Sequence, residues 1–540
     1  MSNPIKMAIT NISRKGDTDI FPYPIENALF YDKPEKVEEI LSEMDQNLEK
    51  YIRENKVENI KTCIPVGYTG FRWATLIDPA WNALFLAQVL KIAENIESKR
   101  IPVNENAIFS YRFKYDDENG FLFDKDIRWK AFYKTAAGIS SDFKYVITFD
   151  ISDFYNRVNH ERLRSVLNND IAADGNTVDR IIELLSEISD GNDSYGLPIG
   201  GNASRILAEA FLTRADNFLK ERGLKFCRFV DDFILFANKK DDAYEILNSC
   251  ANYFLKNLGL SLAKNKTSIM TSAEFKKHIK MVFDEVEGEK DDEKNAIFKL
   301  NMNFDPYSAA TDDSLIDIKD QVDGSVLIKL LKSEIRKTKI NQLFGKQLIG
   351  AVRSLNDEDI SEAFQIIAGN FDKLYPVFPL IMRTAYHNIA RCTEKAFKAF
   401  TGSVVQLFEE NSYIIQTDNN ASYAIRLLSV ARNDETKKVI RKLYENQING
   451  QGQTSDLIKV NSIYALTNMG DWEWLGERLE AFPKLTQAER RALVAATAFL
   501  GEKGEAWLKT FQNYLTPLEK LTGEWANRNK QSKENWRLPL

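Results

Sequence analysis

The spacing of apolar residues changes character along the chain. Within 34–55, Val37, Ile40, Leu41 and Met44 recur at helical intervals and predict a helix with one buried face. Before it, "DTDIFPYPIEN" (17–27) carries aromatics and prolines without a period, which predicts an ordered extended arm in a stretch, 1–70, that is otherwise mixed. Asp78-Pro79 supplies an N-cap followed by proline at the first helical position. The helix it opens, to about Glu97, is apolar on nearly every side ("WNALFLAQVLKIA") and is expected in the core.

Strand and helix signals alternate between 143 and 283. "YVITF" (145–149) reads as a buried strand, and helical patterns follow at about 160–168, 176–188 and 202–220. "KFCRFVDDFILFAN" (225–238) is two apolar runs interrupted by two aspartates, which predicts a β-hairpin. A helix at 241–257 and the stretch "LGLSLAKNKTSIM" (258–270) complete this part. From 321 onward helix follows helix. Thr486 with Glu489 forms a capping box, and Gly501 is expected to stop that helix. Segments at about 456–468, 472–481, 487–500 and 503–515 predict stacked helical hairpins, as in an α-solenoid, without a strict sequence period.

At 540 residues the chain has room for roughly two to four domains. Its net charge of −6 excludes a protein that coats nucleic acid or anionic membrane through bulk charge. No apolar run is long enough for a membrane span, and residues 1–20 lack a signal-peptide core, so a soluble cytosolic protein is expected. Cys63, Cys227, Cys250 and Cys392 have neither metal-site nor disulfide-framework spacing, and with three histidines a zinc centre is not expected. The charge is uneven. Between 284 and 294 seven acids stand against two lysines, whereas 251–283 carries six lysines and one acid. The basic stretch, with Lys264, Lys266, Lys276, Lys277 and Lys280, is where a nucleic-acid backbone could be neutralised. The acidic run is expected as an exposed loop ahead of the helical region.

Two-metal nucleotidyl transfer needs carboxylates that meet in space and hold two cations about 4 Å apart. Asp150 ends the strand "YVITF", and Asp231-Asp232 sit at the tip of the expected hairpin. Asp-Asp also occurs at 116–117, 241–242, 291–292 and 312–313, but only 231–232 is embedded in strand on both sides. Adjacent acids there repel one another unless a cation joins them.

Four segments then stand in a telling order: "FDISDFYNRVNH" (149–160), "GLPIGGNASRILAEAFL" (196–212), "FVDD" (229–232) and "LGLSLAKNKT" (258–267). Over roughly 71–283 the chain resembles the polymerase palm of reverse transcriptases. The resemblance implies an α+β fold, fingers and palm followed by an all-α, HEAT-like helical-repeat domain. The expected divisions are an N-terminal extension (1–70), fingers (71–142), palm (143–283), an acidic linker (284–320) and the repeat domain (321–540). It makes Asp150 and Asp231 metal ligands, with the backbone carbonyl of Ile151 completing one shell and Asp232 as the third acid. The implied cofactor is two Mg²⁺ ions, with Mn²⁺ as the substitute.

By the same resemblance Tyr155 is the steric gate against a ribose 2′-hydroxyl, with Phe154 beside it; the plain alternative for Tyr155 is a core aromatic. Pro198 and Gly200, with Gly196 and Gly201, match the loop beneath the incoming nucleotide. Lys266 matches a lysine near the departing pyrophosphate. "IFSYRFK" (108–114) offers Arg112 or Lys114 as the finger cation for the triphosphate, with Arg72 behind them. The chain departs from the family in having Ile199 where glutamine is usual and Ser204-Arg205 in place of Ser-Pro, and the helical region stands where a short thumb is usual.

The last two departures resemble the abortive-infection and "unknown group" reverse transcriptases of bacterial antiphage defence. This implies dNTPs and nucleic acid as partners, with synthesis either untemplated or copied from a noncoding RNA. It also implies protein priming in some members, a homo-oligomer, a phage protein as trigger and a bacterial cytoplasmic location away from membranes. Two other functions stay open at this point: a terminal transferase or RNA polymerase on the same palm, and a nucleic-acid-binding scaffold or sensor with a vestigial palm. At the C-terminus Trp525, Arg528, Lys530, Lys533, Trp536 and Arg537 are candidates for contact with nucleic acid or a neighbouring subunit.

Overall fold

The computed structural model describes residues 3–16, 18–189, 194–284, 323–445 and 454–540. The chain opens with a helix that the mixed pattern of its first residues conceals. In α1 (Pro4–Lys15) Asn3 caps the Ile5 N–H, Pro4 takes the first turn, and Ile5, Ala8, Ile9 and Ile12 are buried. The expected arm follows, anchored by buried Phe21 and Ile25, and ends at α2 (Glu26–Asp32). The pattern at 34–55 resolves into α3 (Pro34–Gln46) and α4 (Leu48–Glu54).

Next, β1 (Asn59–Val66) and β2 (Gly70–Ile77) pair as an antiparallel hairpin with Cys63 opposite Trp73. The division expected at 70–71 falls inside this hairpin. Nor is the segment before it an appendage, because α1 packs on α5 (Pro79–Lys99) in the centre of the core. Asp78 caps α5 through the Ala80 N–H at 3.1 Å, and neighbours on every side explain why the helix is apolar all round. A small hairpin, β3 (Phe113–Asp116) and β4 (Phe121–Phe123), and α6 (Trp129–Ile139) lead to the main sheet.

That sheet holds β5 (Tyr145–Asp150), β6 (Phe226–Phe229), β7 (Asp232–Ala237) and β8 (Ser268–Thr271) in the order β6-β7-β5-β8, all antiparallel. Between β5 and β6 run α7 (Phe154–Arg157), α8 (His160–Ser165), α9 (Gly175–Ile188) and α10 (Asn202–Glu221). After β7 comes α11 (Lys240–Tyr253), and α12 (Ser272–Asp284) follows β8. Phe149 of β5 stacks on Phe233 of β7 at 4.9 Å, with Phe254 edge-on to both. The acidic run at 284–294, beyond its first residue, and the rest of the expected linker lie outside the described residues.

The remainder is helical, in two layers. One layer stacks α13 (Gly324–Arg336), α15 (Asp357–Ala368), α17 (Glu394–Glu409) and α19 (Asp434–Tyr444). The other stacks α14 (Gln342–Ala351), α16 (Phe378–Asn388), α18 (Asp418–Leu428), α20 (Asp456–Asn468), α22 (Gln487–Thr497) and α24 (Pro517–Ser532). Within each layer successive helices pack on one another, as the helical-hairpin reading expects, and α21 (Trp472–Arg478) and α23 (Glu502–Phe511) connect the last three helices of the second layer. The Thr486–Glu489 capping box is present, and Thr516 with Glu519 forms a second. The helix it opens ends at Thr497, short of the expected 500, and Gly501 sits in the left-handed region at the start of the following helix.

The second layer lies against the N-terminal half. Tyr68, in the β1–β2 turn, donates to the Lys373 carbonyl at 2.7 Å and accepts from the Ile340 N–H at 3.0 Å. Arg426 donates to the Tyr23 carbonyl, and Trp525 Nε1 donates to Asp32 at 2.7 Å. Two of the expected C-terminal contact residues are therefore structural. Trp525 is buried, and Trp536 packs between it and Phe499.

Fully buried Arg491 of α22 pairs with Glu26 of α2 and, at 2.6 Å, with Asp78. Removing that guanidinium leaves two carboxylates buried without a cation. Arg491→Ala is expected to cost about 3–5 kcal/mol, read as a large drop in melting temperature. Arg491→Lys should recover only part of it, because an ammonium cannot span both acids in one plane.

Candidate active site

β5 and β7 pair in a register that sets Asp150 directly opposite Asp232. The β6–β7 turn is only Val230-Asp231, since Phe229 pairs with Asp232. Two neighbouring strand ends and one tight turn thus converge three carboxylates. Each offers an oxygen within 4.8 Å of the others, and among the described residues this is the one group able to hold a metal ion. The oxygen-only donor set suits a hard divalent cation. Ile151 N–H donates to the Asp231 carbonyl at 3.2 Å, and the buried Ile151 side chain leaves only its backbone to face the acids.

The charge is costly where it stands. Burial, then the charge of Asp150, pushes the Asp231 carboxyl up to about 6. Burial, then Asp231 and Asp150, pushes Asp232 up to about 7. Lys266 Nζ stands 2.6 Å from Asp150 Oδ2; partial burial works to lower its pKa, but the Asp150 hydrogen bond and charge outweigh it and hold it above the usual lysine value. Arg72 of β2, exposed and on the facing hairpin, is a further cation whose charge reaches Asp231.

The turn is held from beneath by residues that no motif announces. Val230 has φ 54, a conformation that a β-branched residue adopts only under constraint. Its carbonyl accepts from Arg228 Nη1 at 3.0 Å. Arg228 is wholly buried, and its other nitrogens bind Asp216 at 2.7 Å and Glu209 at 2.9 Å, both on α10. Arg100 and Ser110 complete the bonds to Glu209. A readable signal existed: Glu209 and Asp216 lie seven positions apart on α10, hence on one face of the helix.

The expected nucleotide-side residues divide. Tyr155 lies partly buried near the site: burial first, then the charges of Tyr111 and Asp231 against the opposing Arg205, hold its phenol well above the usual tyrosine range. Its neighbour Phe154 turns inward and packs edge-on to Tyr155 and against Phe211, so it is core and not a nucleotide contact. Arg112 is not the finger cation. It is buried, paired with Glu97 and donating to the Ile101 carbonyl. Lys114 is exposed and pairs with Asp124. Of the three finger cations considered, Arg72 is the one whose charge bears on the acids.

Pro198 is buried, and the Gly200 loop lies against the chain's own arm. Gly200 has φ 125, and a Cβ there would stand 3.3 Å from Thr18 Oγ1. Sequence reasoning also missed that Arg205, the departure from Ser-Pro, pairs with Asp19 of that arm at 3.2 Å and lies over the Tyr111 ring.

Residues 86–303 match the family model described as reverse transcriptase (RNA-dependent DNA polymerase). No curated protein sequence matches the chain. Among solved structures it is similar to apo telomerase from Candida tropicalis truncated from its C-terminal domain, with TM-score 0.29, 15% identity and coverage of 43% of this chain and 55% of that one. It is also similar to apo telomerase from the same organism, with TM-score 0.29, 13% identity and coverage of 74% and 72%. A third is telomerase from Candida albicans in complex with the TWJ fragment of telomeric RNA, with TM-score 0.28, 12% identity and coverage of 75% and 68%. The first likeness spans little more than half of the truncated telomerase. The fold is an α+β reverse-transcriptase domain followed by an all-α helical region.

The raised carboxyls give a signed pH dependence. Between the ordinary carboxylate range and about pH 7 the folded chain keeps protons at Asp231 and Asp232 that the unfolded chain has lost, so metal-free stability from this source falls as pH rises through that window. In calorimetry without metal, melting temperature is expected to fall more steeply from pH 5 to 8 in wild type than in Asp231→Asn. Millimolar Mg²⁺ should recover the difference at pH 8 and not at pH 5. Equal slopes in the two proteins would contradict the assignment.

Proposed function

We propose that the chain is a nucleotidyltransferase of the reverse-transcriptase type, adding deoxynucleotides to a primer end, and that it serves in bacterial antiphage defence. One observation carries the catalytic part: three carboxylates from two distant chain segments are brought within 4.8 Å at a cost to folding. Asp150 and Asp231, with the Ile151 carbonyl, are the residues to hold two divalent cations, Mg²⁺ or its substitute Mn²⁺. When bound, such ions activate a primer hydroxyl and stabilise the leaving pyrophosphate.

The protein's own groups do the rest. Asp232 adds negative charge that favours cation occupancy. Tyr155 closes the sugar side, and Lys266, exposed at the edge of the acids, is placed to move from Asp150 to a leaving phosphate and donate a proton to it. The basic stretch that includes Lys264 and Lys276 provides charge for a primer or template strand. The defence role is supported by Ser204-Arg205 together with the helical-repeat region in place of a thumb. On the same reading the template is a noncoding RNA or absent, and a homo-oligomer and a phage trigger are further expectations.

Incorporation of dNTPs and NTPs by purified protein tests the proposal. Wild type should prefer dNTPs, and Tyr155→Ala should lose that preference with overall activity retained within about an order of magnitude. Asp231→Ala should abolish incorporation. Wild type indifferent to the sugar would point to the RNA polymerase or terminal-transferase alternative. DNA synthesis that survives Asp231→Ala would remove the enzymatic reading and leave the scaffold.

A further inference from the structure

Where the N-terminal arm, the base of the β1–β2 hairpin and the helical stack meet, they leave a cavity of about 240 Å³. Pro22 and Pro24 of the arm, Ile60 and Leu76 of the hairpin, and Leu457 and Val460 of α20 give it apolar walls. A cavity of roughly 150 Å³ accommodates benzene, so this one has room for a ligand of about ten non-hydrogen atoms.

Its charge is one-sided. Glu26, Glu58, Asp78 and Asp456 line it, against the guanidiniums of Arg491 and Arg426, and exposed Lys56 stands at its edge. Arg491 is taken up by Glu26 and Asp78. Arg426 donates to Asn461 at 2.6 Å and to the Tyr23 carbonyl at 2.8 Å. That leaves two acids in excess. The Glu58 carboxylate accepts the Gln487 N–H at 3.3 Å and Asp456 bonds Thr486, but among the described residues neither has an ion pair. Both are half-buried, and burial above all raises the pKa of each.

A second observation is independent of those acids. Tyr464 of α20 lines the same cavity with 2% of its surface exposed, and its hydroxyl has no hydrogen-bond partner among the described residues. A buried tyrosine hydroxyl ordinarily finds one. The charges that act on this phenol, Glu26 first, then Arg491, Arg426 and Asp78, all line the cavity, so the hydroxyl is turned to it.

We propose that this cavity binds a short aliphatic diamine. Its two ammonium groups face Glu58 and Asp456, its methylenes lie along the proline and leucine walls, and the Tyr464 hydroxyl accepts a hydrogen bond from one ammonium. Two positive charges match the two acids in excess, and an ammonium has donors but no acceptor, as a wall of carboxylates and a free hydroxyl requires. A bare metal ion would leave the apolar walls uncovered, and an anion would meet the acids. The occupant touches arm, hairpin and stack together, and its binding does not depend on the transferase reading.

The test uses the full chain without nucleotide. 1,4-Diaminobutane and 1,5-diaminopentane, titrated by calorimetry, should bind wild type at one site and raise its melting temperature. 1,4-Butanediol, of the same length and uncharged, should not bind. Millimolar Mg²⁺, which the three acids of the active site attract, should leave diamine affinity unchanged. Glu58→Gln and Asp456→Asn should each weaken the diamines about tenfold or more, and Tyr464→Phe several-fold. Each variant keeps what its residue does in the free protein: the new amide oxygens still accept, and the ring still packs. Melting temperature without ligand should therefore hold, and should hold or rise in Tyr464→Phe, which loses a buried hydroxyl that has no partner.

Absence of diamine binding at millimolar concentration would overturn the proposal. So would equal binding of the diol, displacement of the diamines by Mg²⁺, or unchanged affinity in the folded variants.

Discussion

The arrangement hangs on the bond from the Arg228 guanidinium to the carbonyl of Val230. A two-residue turn that must present one aspartate and start a strand with another cannot be relaxed: Val230 sits in the left-handed region, and the acids on either side repel. Arg228 holds the turn because it is itself immobile, locked by two carboxylates of α10 in the dry core. The buried charges balance, two cations, Arg228 and Arg100, against two anions, Glu209 and Asp216. Exact pairing of this kind is worth little as net stability but much as geometry, because breaking any member strands the others. α10 therefore has two tasks. Its first turn carries Arg205 toward Tyr111 and Tyr155, and its middle fixes the turn that carries Asp231.

The helical region is likewise part of the core and not a satellite to it. Its second layer meets the N-terminal arm, the β1–β2 hairpin and α2 through buried or half-buried polar contacts, of which Arg491 with Glu26 and Asp78 is the most deeply placed. Residues more than four hundred positions apart thus share one ion-pair network. The arm is held on both sides, by Arg205 and the Gly200 loop from the sheet domain and by Tyr423 and Arg426 from the helices. Its prolines and aromatics suit a segment that is buried without secondary structure of its own.

Legibility followed the range of the forces involved. The acids were readable because strand periodicity and hairpin register are local, and a pair of aspartates inside an apolar run is anomalous whatever surrounds it. Capping boxes and the Asp78-Pro79 start were readable for the same reason. Which cation faces the acids was not, because Arg72, Arg112 and Lys114 differ only in where distant segments place their strands. Phe154 and Tyr155 are adjacent and aromatic, and only the packing of Phe211 behind the first separates core from site. Trp525 and Trp536 looked like an exposed basic tail because no pattern in the sequence reveals that α2 and Phe499 cover them.

The docking of the β1–β2 hairpin has a mechanical consequence. It is fastened near its base where Glu58 accepts from the Gln487 N–H at 3.3 Å, along β1 where Thr62 bonds Asp418 at 3.4 Å, and at its tip through Tyr68. These anchors fall on three different levels of the helical stack. A hairpin riveted at three heights cannot swing as an independent flap; it follows the curvature of the stack that carries it. Stacked helix pairs yield slightly at each junction, and small deflections accumulate along the array. The place of the β1–β2 hairpin relative to the three acids is thereby tied to the curvature of the helical stack.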